Sequence, residues 1–203
     1  MRPTFAIAAL LFLPALATAQ TSFPMVTYAS PVAVQRGTSV EVTVTCQASS
    51  LIGAYKVLFN EGGVSAVPVP PKETPKLDPK SAVPIIPSVT LKVTVAADAR
   101  LGVHEFRIAA NHGISSLGQL VVVDSPVIQE LPGINLPEKA QLVTFPSVVC
   151  GRIEVAENVD YYKFTAKAGQ TLSFEVFCAD FKTRSTTCRS TCRPAHRCVR
   201  QYW

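Results

Sequence analysis

Three histidines are the first candidates for acid–base or nucleophilic chemistry in this chain of 203 residues. A serine or cysteine hydrolase needs a nucleophile, a base beside it and a third group that orients the base. His104 falls in a run where apolar and polar residues alternate, His112 in the turn Asn111-His112-Gly113, and His196 in a basic tail. No serine or cysteine is placed to pair with any of them. The nucleophile elbow Gly-x-Ser-x-Gly is absent, as are a phosphate-binding loop and a dinucleotide fingerprint. The histidines are therefore expected to be strand and turn residues, and the chain is expected not to be an enzyme.

The six cysteines divide into two groups of three. Cys46, Cys150 and Cys178 sit among apolar runs, and are expected to be small core residues or one disulfide plus one thiol. Cys188, Cys192 and Cys198 crowd the end of the chain with His196. Those four could be drawn as a zinc set, but their spacing fits no standard zinc pattern.

The elements that would carry these residues are strands. Val40, Val42 and Val44 alternate with Glu41, Thr43 and Thr45, so one face turns inward and the other to water. Further strands are expected at 55–59, 91–95, 103–108 and 120–123, close enough together for a β-sandwich. Seven prolines between 67 and 87 rule out helix and central strand, so that stretch is expected to be an extended loop. Residues 125–136, with Pro126, Pro132 and Gly133, are expected to be a linker. Strands resume at 142–145, 148–155, 159–166 and 171–177, and no alternation follows Asp180.

The first nineteen residues point to export. Arg2 supplies a positive start, Phe5 to Leu16 is apolar apart from Pro14 and Thr-free, and Ala17-Thr18-Ala19 gives the small-x-small pattern for cleavage before Gln20. The apolar run is shorter than the roughly 20 residues a membrane span needs. No transmembrane anchor is expected, and the protein is expected in the periplasm, on the cell surface or outside the cell. The net charge of +5 is concentrated at the other end. Six of the 19 basic residues and none of the 14 acidic ones fall in 182–203, so the body is close to neutral and offers no basic face for nucleic acid.

Two stretches resemble known families. Gln35-Arg36-Gly37-Thr38 leading into a strand, then 93–99 and Gly102-Val103-His104-Glu105-Phe106-Arg107, resemble bacterial immunoglobulin-like domains of the TIG type. Pro137-Glu138-Lys139-Ala140-Gln141, Gly151-Arg152-Ile153 and Asp160-Tyr161-Tyr162-Lys163-Phe164 resemble the pre-peptidase C-terminal domain, a small non-catalytic β-sandwich of exported bacterial proteins. The resemblance implies an all-β chain: residues 20–124 an immunoglobulin-like sandwich, and 137–181 a partial, jelly-roll-like β module. It also implies that strands after Phe177 are missing. The basic, cysteine-rich tail 182–203 is then expected to be aberrant or disordered, as from a frameshift, and the second module to leave an apolar face uncovered.

Some relatives of the second module hold calcium. The residues that match in place are Glu130, Asn135, Glu157 and Asp160, whose oxygens suit that ion. No other cofactor is implied. The function expected is a non-catalytic exported binding or accessory module whose partner is an extracellular or cell-surface protein or polysaccharide. A fragment of a larger secreted protease or other exported enzyme is the alternative. A carbohydrate-binding module is a second one, although only Tyr161 and Tyr162 stand together as candidate sugar platforms.

Overall fold

Residues 23–47, 50–70, 86–153, 158–178 and 186–192 are described by the computed structural model, Cys178 and 186–192 as backbone alone. The fold is all-β apart from one turn of 3-10 helix at Pro137–Lys139. No helix among the described residues is long and apolar enough to cross a membrane.

The first module contains strands β1 (Met25–Ser30), β2 (Ala33–Gln35), β3 (Ser39–Gln47), β4 (Lys56–Phe59), β5 (Val64–Pro68), β6 (Ser88–Val95), β7 (Gly102–Ala110), β8 (Gly113–Ile114) and β9 (Gly118–Val123). They form two sheets, ordered β1-β3-β6-β5 and β2-β9-β7-β4, with β8 added to β7. The alternation read in the sequence is the cause. On β3, Val42, Val44 and Cys46 are buried while Glu41, Thr43 and Gln47 face water. On β6, Leu91, Val93 and Val95 point the same way, and β7 and β9 supply Phe106, Ile108, Leu120 and Val122 from the facing sheet. These side chains form one contiguous core between the sheets.

Three strands had no clear period in the sequence. β1 pairs antiparallel with β3 across an irregularity between Val26 and Tyr28. β2 is three residues long and runs parallel to β9. β5 takes the first two residues of the expected proline loop, with Pro68 opposite Leu91. It is an edge strand, where a proline's missing N–H costs no ladder bond. The rest of that loop, 71–85, lies outside the described residues.

The second module follows directly. Its strands are β10 (Val127–Gln129), β11 (Gln141–Leu142), β12 (Val148–Cys150), β13 (Tyr162–Lys163), β14 (Leu172–Cys178) and β15 (Thr186–Cys192). β10 pairs parallel with β12, β11 parallel with β13, and β14 antiparallel with β15. The stretch 125–136, expected as a linker, contains the strand Val127–Gln129 and the buried Ile134. Gln141 explains how it is held. Its buried amide donates from Nε2 to the Gln129 carbonyl at 3.0 Å, and its Oε1 accepts from the Leu131 N–H at 2.9 Å. The tail also contains a strand, β15, where none was expected. Backbone pairing along an open edge depends little on sequence, and Thr186, Thr187 and Thr191 are β-branched residues that favour it.

The apolar surface of the second module is only partly covered. Phe145, Phe164 and Phe174 form a mutual cluster with ring centroids 5.1–5.8 Å apart. Phe145 and Phe164 are nevertheless 40 % and 41 % exposed, and Ile153 is 64 % exposed.

Candidate functional site

The two modules meet where β2 lies beside β10 and β12. Cys150, at the end of β12, is buried, and its Sγ accepts the Ala33 N–H at 3.4 Å. Burial pushes this thiol's pKa up, which keeps it protonated and unreactive. Cys46 is a second buried thiol with its pKa raised by burial, inside the first core. Neither is in a disulfide.

Just past Cys150 the chain turns into a cleft of about 330 Å³. Glu130, Asn135 and Asp160, three of the four residues matched to a calcium set, line it together. Glu157, the fourth, lies outside the described residues. Two lining residues were not anticipated. Tyr28 comes from β1 of the first module, and Arg152 follows β12. The Arg152 guanidinium sits 4.7 Å over the centre of the Tyr28 ring, a cation–π contact between the modules. Arg152 lies in the Gly151-Arg152-Ile153 motif, which by itself assigns it no role, and nothing local to Tyr28 points to a partner in the second module.

Glu130 is committed to internal bonds. One carboxylate oxygen accepts from the Tyr162 hydroxyl, and the other accepts from the Arg152 backbone N–H at 3.4 Å. Gly151 permits this, because a Cβ there would run into the Glu130 carboxylate. The Tyr162 phenol is held well above its ordinary pKa, first by burial and then by the carboxylate that accepts its proton. Asp160 accepts from Asn158 Nδ2 at 2.8 Å through Oδ2.

This arrangement bears on calcium. The ion takes six to eight oxygen ligands. The described residues supply three oxygen-bearing side chains of the set, with both Glu130 oxygens already accepting hydrogen bonds and the Arg152 guanidinium in the same lining. No group of three or more histidine, cysteine, aspartate or glutamate residues that could hold a metal occurs among the described residues. Without Glu157 the set does not fit calcium. If Glu157 joins the three described residues in a site, millimolar calcium is expected to raise the melting temperature of the wild type and not that of Asp160→Asn. A site filled to a hundred times its Kd would add about 2.7 kcal/mol. At roughly 2–4 °C per kcal/mol, such a rise is easily seen by calorimetry. A shift of that size that Asp160→Asn abolishes would place Asp160 in a calcium site, and an unchanged wild-type curve would remove the site.

The histidines are placed away from this cleft. His104 is fully buried on β7, with Nε2 2.7 Å from the Arg100 carbonyl and Nδ1 lacking a partner. His112 is exposed in the turn between β7 and β8. His196 and Cys198 lie outside the described residues, while β15 places Cys188 opposite Val176 and Cys192 opposite Leu172.

No family model matches the chain, and no curated protein matches it.

Proposed function

We propose that this chain is an exported, non-catalytic binding module, a TIG-like immunoglobulin sandwich followed by a partial pre-peptidase C-terminal-like module, which holds its ligand in the cleft between the two. The observation that carries the reading is the cleft itself. Both modules contribute to it: Tyr28 supplies an aromatic ring, Glu130 and Asp160 carboxylates, Asn135 an amide and Arg152 a guanidinium. In a concave site, placed polar groups fix the orientation of a ligand, and this one carries several. The ligand is on the outside of the cell, as the export signal implies.

Filling the cleft tests this. Asn135 is exposed on its wall, so Asn135→Trp adds bulk without disturbing the core. The purified variant is expected to melt like wild type and to lose about tenfold or more of its retention on envelopes of the exporting cell, the scale of one lost anchoring contact. Equal retention of the two proteins would remove the cleft from the function.

The fragment reading has its own support. Exposed Leu142, Ile153 and Phe164 on the second module are what a sandwich shows when further strands are missing, and those strands would belong to a longer exported protein. The nucleotides after codon 181 distinguish the cases. A second frame that encodes alternating strands with a turn between them supports the fragment, and its absence supports a genuine tail.

A further inference from the structure

We propose that the junction cleft takes an acidic saccharide, with Arg152 meeting a uronate carboxylate and the side chains of Asn135, Asn158 and Asp160 meeting ring hydroxyls. The proposal rests on the binding-module reading and adds the class of ligand. Arg152 is the central observation. Its flat face is used on Tyr28, at 4.7 Å, and it forms no ion pair with any described residue. Stacking occupies the face of a guanidinium and leaves its in-plane N–H groups at the edge, in the fork that matches a carboxylate. The stack also fixes the side chain in advance, so less freedom is lost when a ligand binds.

The remaining groups suit hydroxyls. An amide both donates and accepts, and a carboxylate accepts, so together they can satisfy neighbouring hydroxyls that do both. Asn135, Asn158 and Asp160 bring this mixture to the lining of the cleft. Asp160 uses Oδ2 to accept from Asn158, and that bond orients both side chains. Glu130 takes a different part. Its oxygens serve Tyr162 and the Arg152 backbone, so it anchors the loop that carries Arg152. A cleft of about 330 Å³ lies at the small end of ligand sites, suited to a sugar unit or two and not to a folded partner.

Competing ligands fit less well. A peptide added along the β1 or β10 edge that borders the cleft would bind through main-chain groups and leave the Arg152 fork and the amides unused. A nucleic acid needs several cations, and one arginine stands here against two acids. A small inorganic anion would use Arg152 and leave the amides idle.

Calorimetric titration of the full exported chain with trigalacturonate, with its methyl ester and with sodium sulfate tests the proposal. The acid is expected to bind at least about tenfold tighter than the ester, the effect of one charge-assisted pair. Arg152→Gln should bring the acid down to the ester's affinity, and Asp160→Asn should weaken acid and ester by the same factor. The acid–ester comparison on wild type needs no variant to fold. Equal binding of acid and ester overturns the acidic-saccharide proposal while leaving a saccharide-binding module. Displacement of the trisaccharide by sulfate at similar concentration overturns it in favour of a simple anion site. Binding of neither sugar also overturns it, and the binding-module reading then stands or falls on envelope retention of Asn135→Trp.

Discussion

Phe106→Ala is expected to destabilise the first module by about 3–5 kcal/mol, a large part of what holds a domain of this size together. Phe106 is 1 % exposed and stands at the middle of the core, where its ring centroid lies 5.6 Å from that of Phe59 on the neighbouring strand. Its cross-strand partner on β9 is Gly118. The ring lies over that glycine so closely that a Cβ there would meet Phe106 Cζ at 2.5 Å. The aromatic side chain thus covers the gap left by a residue with no side chain. Gly118→Ala alone should cost about 1–3 kcal/mol by overpacking. The double variant should cost clearly less than the two single costs added, because removing the ring makes room for the methyl. Urea unfolding of the four proteins, compared at constant m, measures all three quantities. Strict additivity would mean that the ring and the glycine do not share this space, whatever their separate costs.

The strands that the sequence reveals are the ones where local pattern and burial coincide. β3, β6 and β7 are eight or nine residues long, and each buries alternate side chains against one continuous core. A one-residue slip in any of them would turn the whole apolar set to water, so the pattern is strongly imposed. β2 and β10 are three residues each and run parallel to distant partners. Three residues carry no measurable period, and their pairing is decided by what lies beside them in space. The cleft divides in the same way. Glu130, Asn135 and Asp160 could be proposed together only through a resemblance to the pre-peptidase C-terminal domain, since nothing in their spacing joins them. Tyr28 and Arg152 meet only because the modules pack, and that packing rests on contacts such as the Ala33 N–H to Cys150 Sγ, which no local pattern encodes.

The tail gives the second large effect. A chain ending at residue 181 is expected to aggregate, where the full chain stays in solution at the same concentration. The reason is the position of β14. Among the described residues its neighbour in the sheet is β15, paired along its full length from Leu172–Cys192 to Cys178–Thr186. Removing β15 leaves seven residues of unpaired backbone next to Phe174, which packs with the half-exposed Phe145 and Phe164. An open strand edge beside exposed aromatic side chains is a template for a second chain. The tail's origin does not alter this, since the pairing uses backbone groups that any residues but proline would supply. The basic residues of 182–203 add charge of one sign, which also opposes association in the full chain. Salt separates the two effects. If charge alone keeps the full chain in solution, it should aggregate as readily as the shortened one at high salt, where surface charges are screened. If β15 protects the edge, the difference between the two chains should persist there. Light scattering against protein concentration, at low and high salt, reads the result. A shortened chain that remains monomeric under both conditions would mean that β15 covers no edge that matters, and that the aromatic cluster is sufficiently shielded by the rest of the second module.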